Sequence, residues 1–207
     1  IAVRLYGDEQ KLRSELSKYK YDESGIIIVP SFSVVENCDV PTNAIRQKKD
    51  SSMVMGMDAL KNGEADACVS CGKTGASLVG GQTIVGIMRG VDRAGLAFLV
   101  PTARTPVLIM DCGANIDCRP EMLVQFAKMG SIYMKYVLGV SDPKVGLVNI
   151  GEEETKGNHQ VQETCPLLKE CGDINFVGSV ESRGMIDGEV DVAVCDGFVG
   201  NTILKTY

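Results

Sequence analysis

A doubly wound α/β sheet, mostly parallel with room for antiparallel strands, is the fold class predicted by this 207-residue sequence. Three observations predict it. Apolar, β-branched runs alternate with segments of helical spacing, and glycine turns stand where those runs end. One pair of runs, GLAFLVP and PVLIMD, follows too closely for a helix to intervene, which reads as a hairpin or adjacent pairing. A chain of this length buries roughly 70% of its unfolded surface, enough for one substantial core, so residues 1–207 read as a single α/β domain.

Taken in order, IAVRLYG is a strand, and DEQKLRSELSKY a helix with Leu12 and Leu16 four apart, acidic residues leading and lysines trailing. GIIIVP is the second strand. It is followed by a segment with Pro41 and the basic cluster Arg46, Lys48 and Lys49, then by a helix marked by Met53, Val54, Met57 and Leu60 that stops at Asn62 and Gly63. ADACVS predicts a short buried strand entering CGKTGAS and a small-residue helix with Leu78 and Val79. After the paired runs, Pro120 opens a helix whose core stripe is Leu123, Phe126, Ala127 and Met129 and which ends near Gly139. The run 145–150 is a buried strand closed by Gly151, with Asn158 as N-cap of the helix that follows. INFVG and EVDVAVC give the last of eight strand candidates, and DGFVGN places Asn201 as the cap of a helix starting near Thr202 in which Tyr207 falls. With Ile1 opening directly into a strand, both ends read as cut, and the sequence as a fragment.

Composition excludes several classes. With 44% hydrophobic and 23% charged residues and 23 glycines, the chain is globular, neither disordered nor collagen-like. A net charge of -6 and a pI near 4.9 argue against nucleic-acid binding as its main task. Eight cysteines without a secretory signal read as reduced cytosolic thiols. No stretch approaches the roughly 18 apolar residues of a spanning helix.

Four loops at strand ends carry chemistry. In 146–158, Glu152, Glu153, Glu154 and Lys156 crowd between strand and helix. Gly157 permits close approach of backbone, and the N–H groups after Asn158 favour an anion, most plausibly phosphate. Lys156 can neutralise an anionic nucleophile and a developing oxyanion. The glutamates read by default as solvated charge, and otherwise as ligands of a cation or partners of basic residues such as Arg46, Lys48, Lys49 or Arg183. Gly72, Lys73 and Thr74 lack the earlier glycine of a nucleoside-triphosphate loop, since Ala67 stands there. They read either as a plain connection or as a turn holding phosphate through backbone N–H groups. Asp111, Asn115 and Asp117 either orient a substrate or metal or cap their own loop. Cys68 and Cys71 have redox spacing, but there is no second such pair and His159 is the only histidine, which disfavours zinc or thioredoxin chemistry. His159, in a first helical turn, is as well read as an exposed residue as a general base. The glycine fingerprint of a dinucleotide fold is absent.

Together IRQKKDSSM, ADACVSCGKTGAS, DCGANIDCRPE, QFAKMGSIY, GLVNIGEEETKGN, INFVGSVESR and VCDGFVGNTILKT resemble the bacterial phosphate acyltransferase family, which makes acyl-phosphates from acyl-acyl carrier protein. The resemblance covers nearly the whole sequence. It lacks the family's glycine-rich opening and its C-terminal helical portion, and departs from the pattern at Cys71 and Lys73, where alanine and asparagine are usual. It implies a three-layer sheet like that of the isocitrate/isopropylmalate dehydrogenase fold. The implied reaction transfers a fatty acyl group from the carrier-protein thioester to inorganic phosphate for phospholipid synthesis, with no cofactor and no metal.

On that resemblance Lys156 and Asn201 are the catalytic residues, and Gly157, Asn158 and Gly200 complete the phosphate pocket, with Gly72, Lys73, Thr74 and Asn115 as further substrate contacts. Arg46, Lys48 and Lys49 would dock the acidic carrier protein, or else form a solvated helix face. A homodimer in the cytoplasm, with peripheral membrane association, is implied too. A covalent route through Cys71, Cys112 or Cys195 competes, as do an acyl-coenzyme A phosphotransacylase and a noncatalytic carrier-binding or membrane scaffold.

Overall fold

The computed structural model describes residues 1–102 and 104–206, so Tyr207 lies outside the described residues, and the chain divides into two units, 1–90 and 91–207. In the first unit, strands β1 (Val3–Gly7) and β2 (Ile26–Pro30) pair in parallel around helix α1 (Glu9–Leu16), which Asp8 caps by accepting from the Lys11 N–H. Helices α2 (Pro41–Gln47), α3 (Ser52–Lys61) and α4 (Thr74–Gly80) follow, with a π turn at Gly81–Val85. Their core is Ile45, Met53, Val54, Met57, Ala76 and Ile84. The expected strand ADACVS does not form: residues 65–70 join no ladder and Val69 is 93% exposed. Its apolar residues have no sheet face to cover, and a strand without such a face lacks what stabilises it.

The second unit holds a five-stranded sheet in the order β3-β4-β7-β5-β6. Of the two readings of the close apolar runs, a hairpin or an adjacent pairing, the hairpin forms: β3 (Ala97–Val100) runs antiparallel to β4 (Val107–Met110). Strands β4, β5 (Lys144–Val148), β6 (Asn175–Val180) and β7 (Val192–Val194) are mutually parallel. The sheet is therefore mixed and mostly parallel, as the sequence predicts.

Alternation along each buried strand feeds two cores. Leu108, Met110, Val145, Leu147, Val192 and Val194 meet α5 (Pro120–Tyr136) and α6 (His159–Lys169) on one face. Val107, Ile109, Val148, Ala193 and Cys195 face the other way, toward Met185 of α7 (Ser182–Ile186) and Val199, Ile203 and Leu204 of α8 (Gly197–Thr206). Pro120 does open α5. Its buried Met122, Leu123, Phe126, Ala127, Gly130 and Met134 recur at three- and four-residue intervals, so one stripe of the helix covers the sheet.

Two boundaries differ from the sequence reading. β5 ends at Val148 rather than at residue 150, because Asn149 turns inward and Ile150 emerges 79% exposed. α8 starts at Gly197, so Asn201 lies inside the helix and the cap is Asp196, whose Oδ1 accepts from the Val199 N–H at 2.8 Å. No described helix is long and apolar enough to cross a membrane.

Candidate functional site

Four parallel strands in one sheet end at the same edge, and connecting loops at that edge are where such sheets bind ligands. Here the loops after β4, β7 and β5 leave neighbouring strands, and they carry Asp111 to Cys118, Asp196 to Asn201, and Asn149 to Asn158.

The loop after β4 is built on Asp111, which is wholly buried. Its Oδ1 accepts from the N–H groups of Leu96 (2.8 Å) and Ala114 (3.2 Å), and its Oδ2 from the Asn115 N–H (2.7 Å) and Asn115 Nδ2 (3.0 Å). Four donors thus offset the cost of burying this carboxylate, which is the loop-capping role rather than a ligand's. Asn115 is spent in the same way: its Nδ2 also donates to the Ala94 carbonyl at 3.0 Å. Both amide donors of a substrate-contact candidate are therefore engaged with protein, and only its oxygen, which an anion would repel, lacks a donor among the described residues. The Asn115 carbonyl accepts from the Gly197 N–H at 2.7 Å, tying this loop to the start of α8.

α8 then runs against the Asp111 loop. A Cβ built on Gly200 would fall on the Asp111 carbonyl, and one built on Gly113 would lie 3.4 Å from the Asn201 Cβ and 3.5 Å from its Oδ1. Gly200 allows the approach, and Asn201 sits partly exposed beside Gly113 at the sheet edge.

In the third loop Lys156 is exposed, and its ammonium enters no ion pair among the described residues. Its N–H donates to the Glu153 carbonyl at 3.0 Å. Gly157 follows at φ +93°, a conformation costly for any side chain. Asn158 caps α6 as the sequence predicts, its Oδ1 accepting from the Val161 N–H at 3.0 Å. Of the glutamates, Glu154 pairs with Lys169, a basic residue not among those the sequence reading names. Glu152 instead lines a small cavity with Glu181, Arg183, Asp187 and Glu189, where Arg183 Nε stands 3.9 Å from Asp187. Gln160 of α6 donates to the Cys118 carbonyl at 2.6 Å, which fastens this loop's helix to the loop after β4.

Sequence reasoning missed Asn149 and Asp196. Both are Asx residues directly before a turn or a helix, which is the signal that could have found them.

The remaining candidates belong to the first unit. Lys73 precedes α4, and its Nζ donates to the carbonyls of Asn37 (2.8 Å) and Asp39 (2.7 Å). Lys48 donates to the Val34 carbonyl at 2.7 Å and to Asp39 Oδ2 at 2.5 Å, an ion pair that holds the Asp39 carboxyl below its usual range. Both ammonium groups brace the loop before α2, which corrects their reading as anion or carrier contacts. Gly72 donates to Ser70 Oγ at 3.1 Å, while Thr74, Arg46 and Lys49 are exposed.

The thiol route loses two of its three candidates. Burial, with Asp111 adding to it, pushes Cys112 up to about 12, and burial raises Cys195 well above the ordinary thiol range. Neither forms a thiolate near neutrality. Among the described residues no cluster of three or more histidine, cysteine, aspartate or glutamate side chains could hold a metal ion.

The sequence profile described as "Fatty acid synthesis protein" matches residues 1–207. A phosphate acyltransferase of Clostridium perfringens (strain SM101 / Type A) is 49% identical over 207 residues, 100% of this chain and 61% of that protein. The chain thus spans about three fifths of the length of the curated relatives it matches. Among solved structures, the EutD phosphotransacetylase from Staphylococcus aureus superposes with a TM-score of 0.67 at 20% identity, covering 99% of this chain and 72% of that one. A phosphotransacetylase from Streptococcus pyogenes superposes with a TM-score of 0.68 at 16% identity, covering 97% and 71%. At such identities these two likenesses speak to the fold alone.

Proposed function

Because the chain belongs to the family described as "Fatty acid synthesis protein", we propose that the protein transfers a fatty acyl group from acyl-acyl carrier protein to inorganic phosphate, yielding acyl-phosphate for phospholipid synthesis. The observation that carries this reading is the placing of the Lys156 loop and the Asn201 helix at the ends of β5 and β7, neighbours in the sheet. An ammonium that enters no ion pair among the described residues, the positive-φ Gly157, the first turn of α6 and the Asn201 carboxamide would together serve one small anion.

In this reading Lys156, Gly157 and Asn158 hold monohydrogen phosphate beside the thioester. Gly200, expected from the sequence to add backbone donors, is buried within α8 with its N–H given to the Asp196 carbonyl at 3.0 Å, and serves only to let α8 approach the Asp111 loop. A phosphate oxygen donates its electron pair to the carbonyl carbon and forms the new C–O bond. The carbonyl oxygen becomes an oxyanion, which Lys156 and the Asn201 carboxamide stabilise. Collapse breaks the C–S bond; the carrier thiolate leaves with that electron pair and takes up the phosphate's proton through solvent. Proximity and electrostatics carry the rate, and no electron transfer is required.

The proposal extends to a fold of the isocitrate/isopropylmalate dehydrogenase type, to one acyltransferase domain over residues 1–207, and to a homodimer in the cytoplasm with peripheral membrane contact. Arg46 and Lys49 are its remaining carrier-docking residues.

The test follows free thiol and acyl-phosphate from acyl-acyl carrier protein, with and without phosphate, for the whole protein and for Lys156→Ala. The variant is expected to lose about 10²–10³-fold in turnover, the effect of removing one oxyanion-stabilising group. Phosphate-independent thiol release or an unimpaired variant defeats the mechanism. Equal use of the coenzyme A thioester would favour the phosphotransacylase reading, and binding without turnover the scaffold.

A further inference from the structure

We propose that Asn149 is the positioning residue for Lys156, an inference that rests on the role given to Lys156 above. Asn149 is 8% exposed and stands between the last residue of β5 and the loop. Its Nδ2 donates to the Lys156 carbonyl at 3.3 Å and to Ser179 Oγ of β6 at 3.2 Å, and its Oδ1 accepts from the Ile150 N–H at 2.8 Å. One carboxamide therefore grips both ends of the loop and braces them on the adjacent strand. A Cβ built on Gly157 would lie 2.5 Å from Asn149 Oδ1, so the residue that follows Lys156 packs directly on this clamp.

The geometry explains how an exposed lysine on a loop has its backbone placed. Its long side chain is free to reach an anion, while the Cα from which it springs is set by a buried group on the sheet. Gln162 of α6 holds the carbonyls on either side, Thr155 at 3.0 Å and Gly157 at 3.3 Å, while Asn149 holds that of Lys156 itself and ties it to Ser179 on β6. Loss of such a support displaces a catalytic group without removing it, and a displacement of 1 Å costs about 10²-fold in rate.

The test uses the whole protein and two readouts. Asn149→Ala is expected to raise amide hydrogen exchange across 150–157 by about 10-fold or more, the sign of local opening, with β5 and α6 little changed. Turnover to acyl-phosphate should fall about 10- to 100-fold with KM for the carrier thioester held. The double variant with Lys156→Ala should be no slower than Lys156→Ala alone, because Asn149 acts through Lys156. Should Asn149→Ala misfold, Asn149→Asp keeps shape and acceptor while losing the donor, and Ser179→Ala removes the brace. Losses that multiply in the double variant, or unchanged exchange in 150–157, overturn the proposal. Full activity of Lys156→Ala would overturn the functional reading, and the exchange measurement would still decide the clamp.

Discussion

At Gly200 the chain leaves no room for a side chain, since a Cβ would fall on the Asp111 carbonyl. Gly200→Ala is therefore expected to cost about 3 kcal/mol by overpacking and to lower activity by pushing Asn201 away from the sheet edge, which urea denaturation and turnover would measure together. At Gly113 a Cβ would meet Asn201 only at ordinary contact, 3.4 Å away, but its φ of +111° makes a side chain there strained by backbone rather than by crowding. At this scale the sequence shows which residue types stand in a loop but not which atoms are already engaged. Asn115 and Lys73 look like ligands as letters. Their donors prove to be taken by Asp111 and Ala94 in one case and by Asn37 and Asp39 in the other.

The elements were legible where the signal is local. Asn158 caps α6, Pro120 opens α5 and the hairpin β3-β4 falls where two apolar runs crowd together, because capping geometry and hydrophobic period act over a few residues. α8 was misread because Asn201 competes as a cap with Asp196, and only the latter's carboxylate reaches an N–H, that of Val199. Asp196→Ala should lower the stability of the second unit by about 1 kcal/mol, as loss of an N-cap does, visible as a shift in the denaturation midpoint with unchanged slope. The missing strand at residues 65–70 is a different failure. A short apolar run specifies a strand only if a partner edge and a face to cover exist, and neither can be read from the run itself.

At the scale of the whole molecule, charge and protonation set two further expectations. If the proposed carrier protein is the acyl donor, a net charge of -6 makes its docking depend on local cations, and Arg46 and Lys49 remain exposed after Lys48 is committed to Asp39. Arg46→Glu with Lys49→Glu should lower kcat/KM for the carrier thioester several-fold at low salt and less at high salt, leaving a coenzyme A thioester unaffected. Cys112 and Cys118 are held at about 12 and about 11 by burial, against an unfolded value of 9.0. Above pH 9 the unfolded chain loses these protons first, so the stability they give is full below pH 9 and declines as pH rises toward 11–12, a fall that denaturation midpoints across that window would record. By itself the sequence determined the α/β alternation, the hairpin, the helix starts at Pro120 and Asn158 and the motifs of the family, because each is written in neighbouring residues. Only the tertiary structure decided that β7 lies between β4 and β5, that Asp111 and Asn149 are buried, and that Lys156 enters no ion pair among the described residues while Lys48 pairs with Asp39 and Lys73 is bonded to loop carbonyls. Those outcomes depend on strand pairing and burial between segments far apart in the chain, where hydrogen-bond partners are chosen by packing.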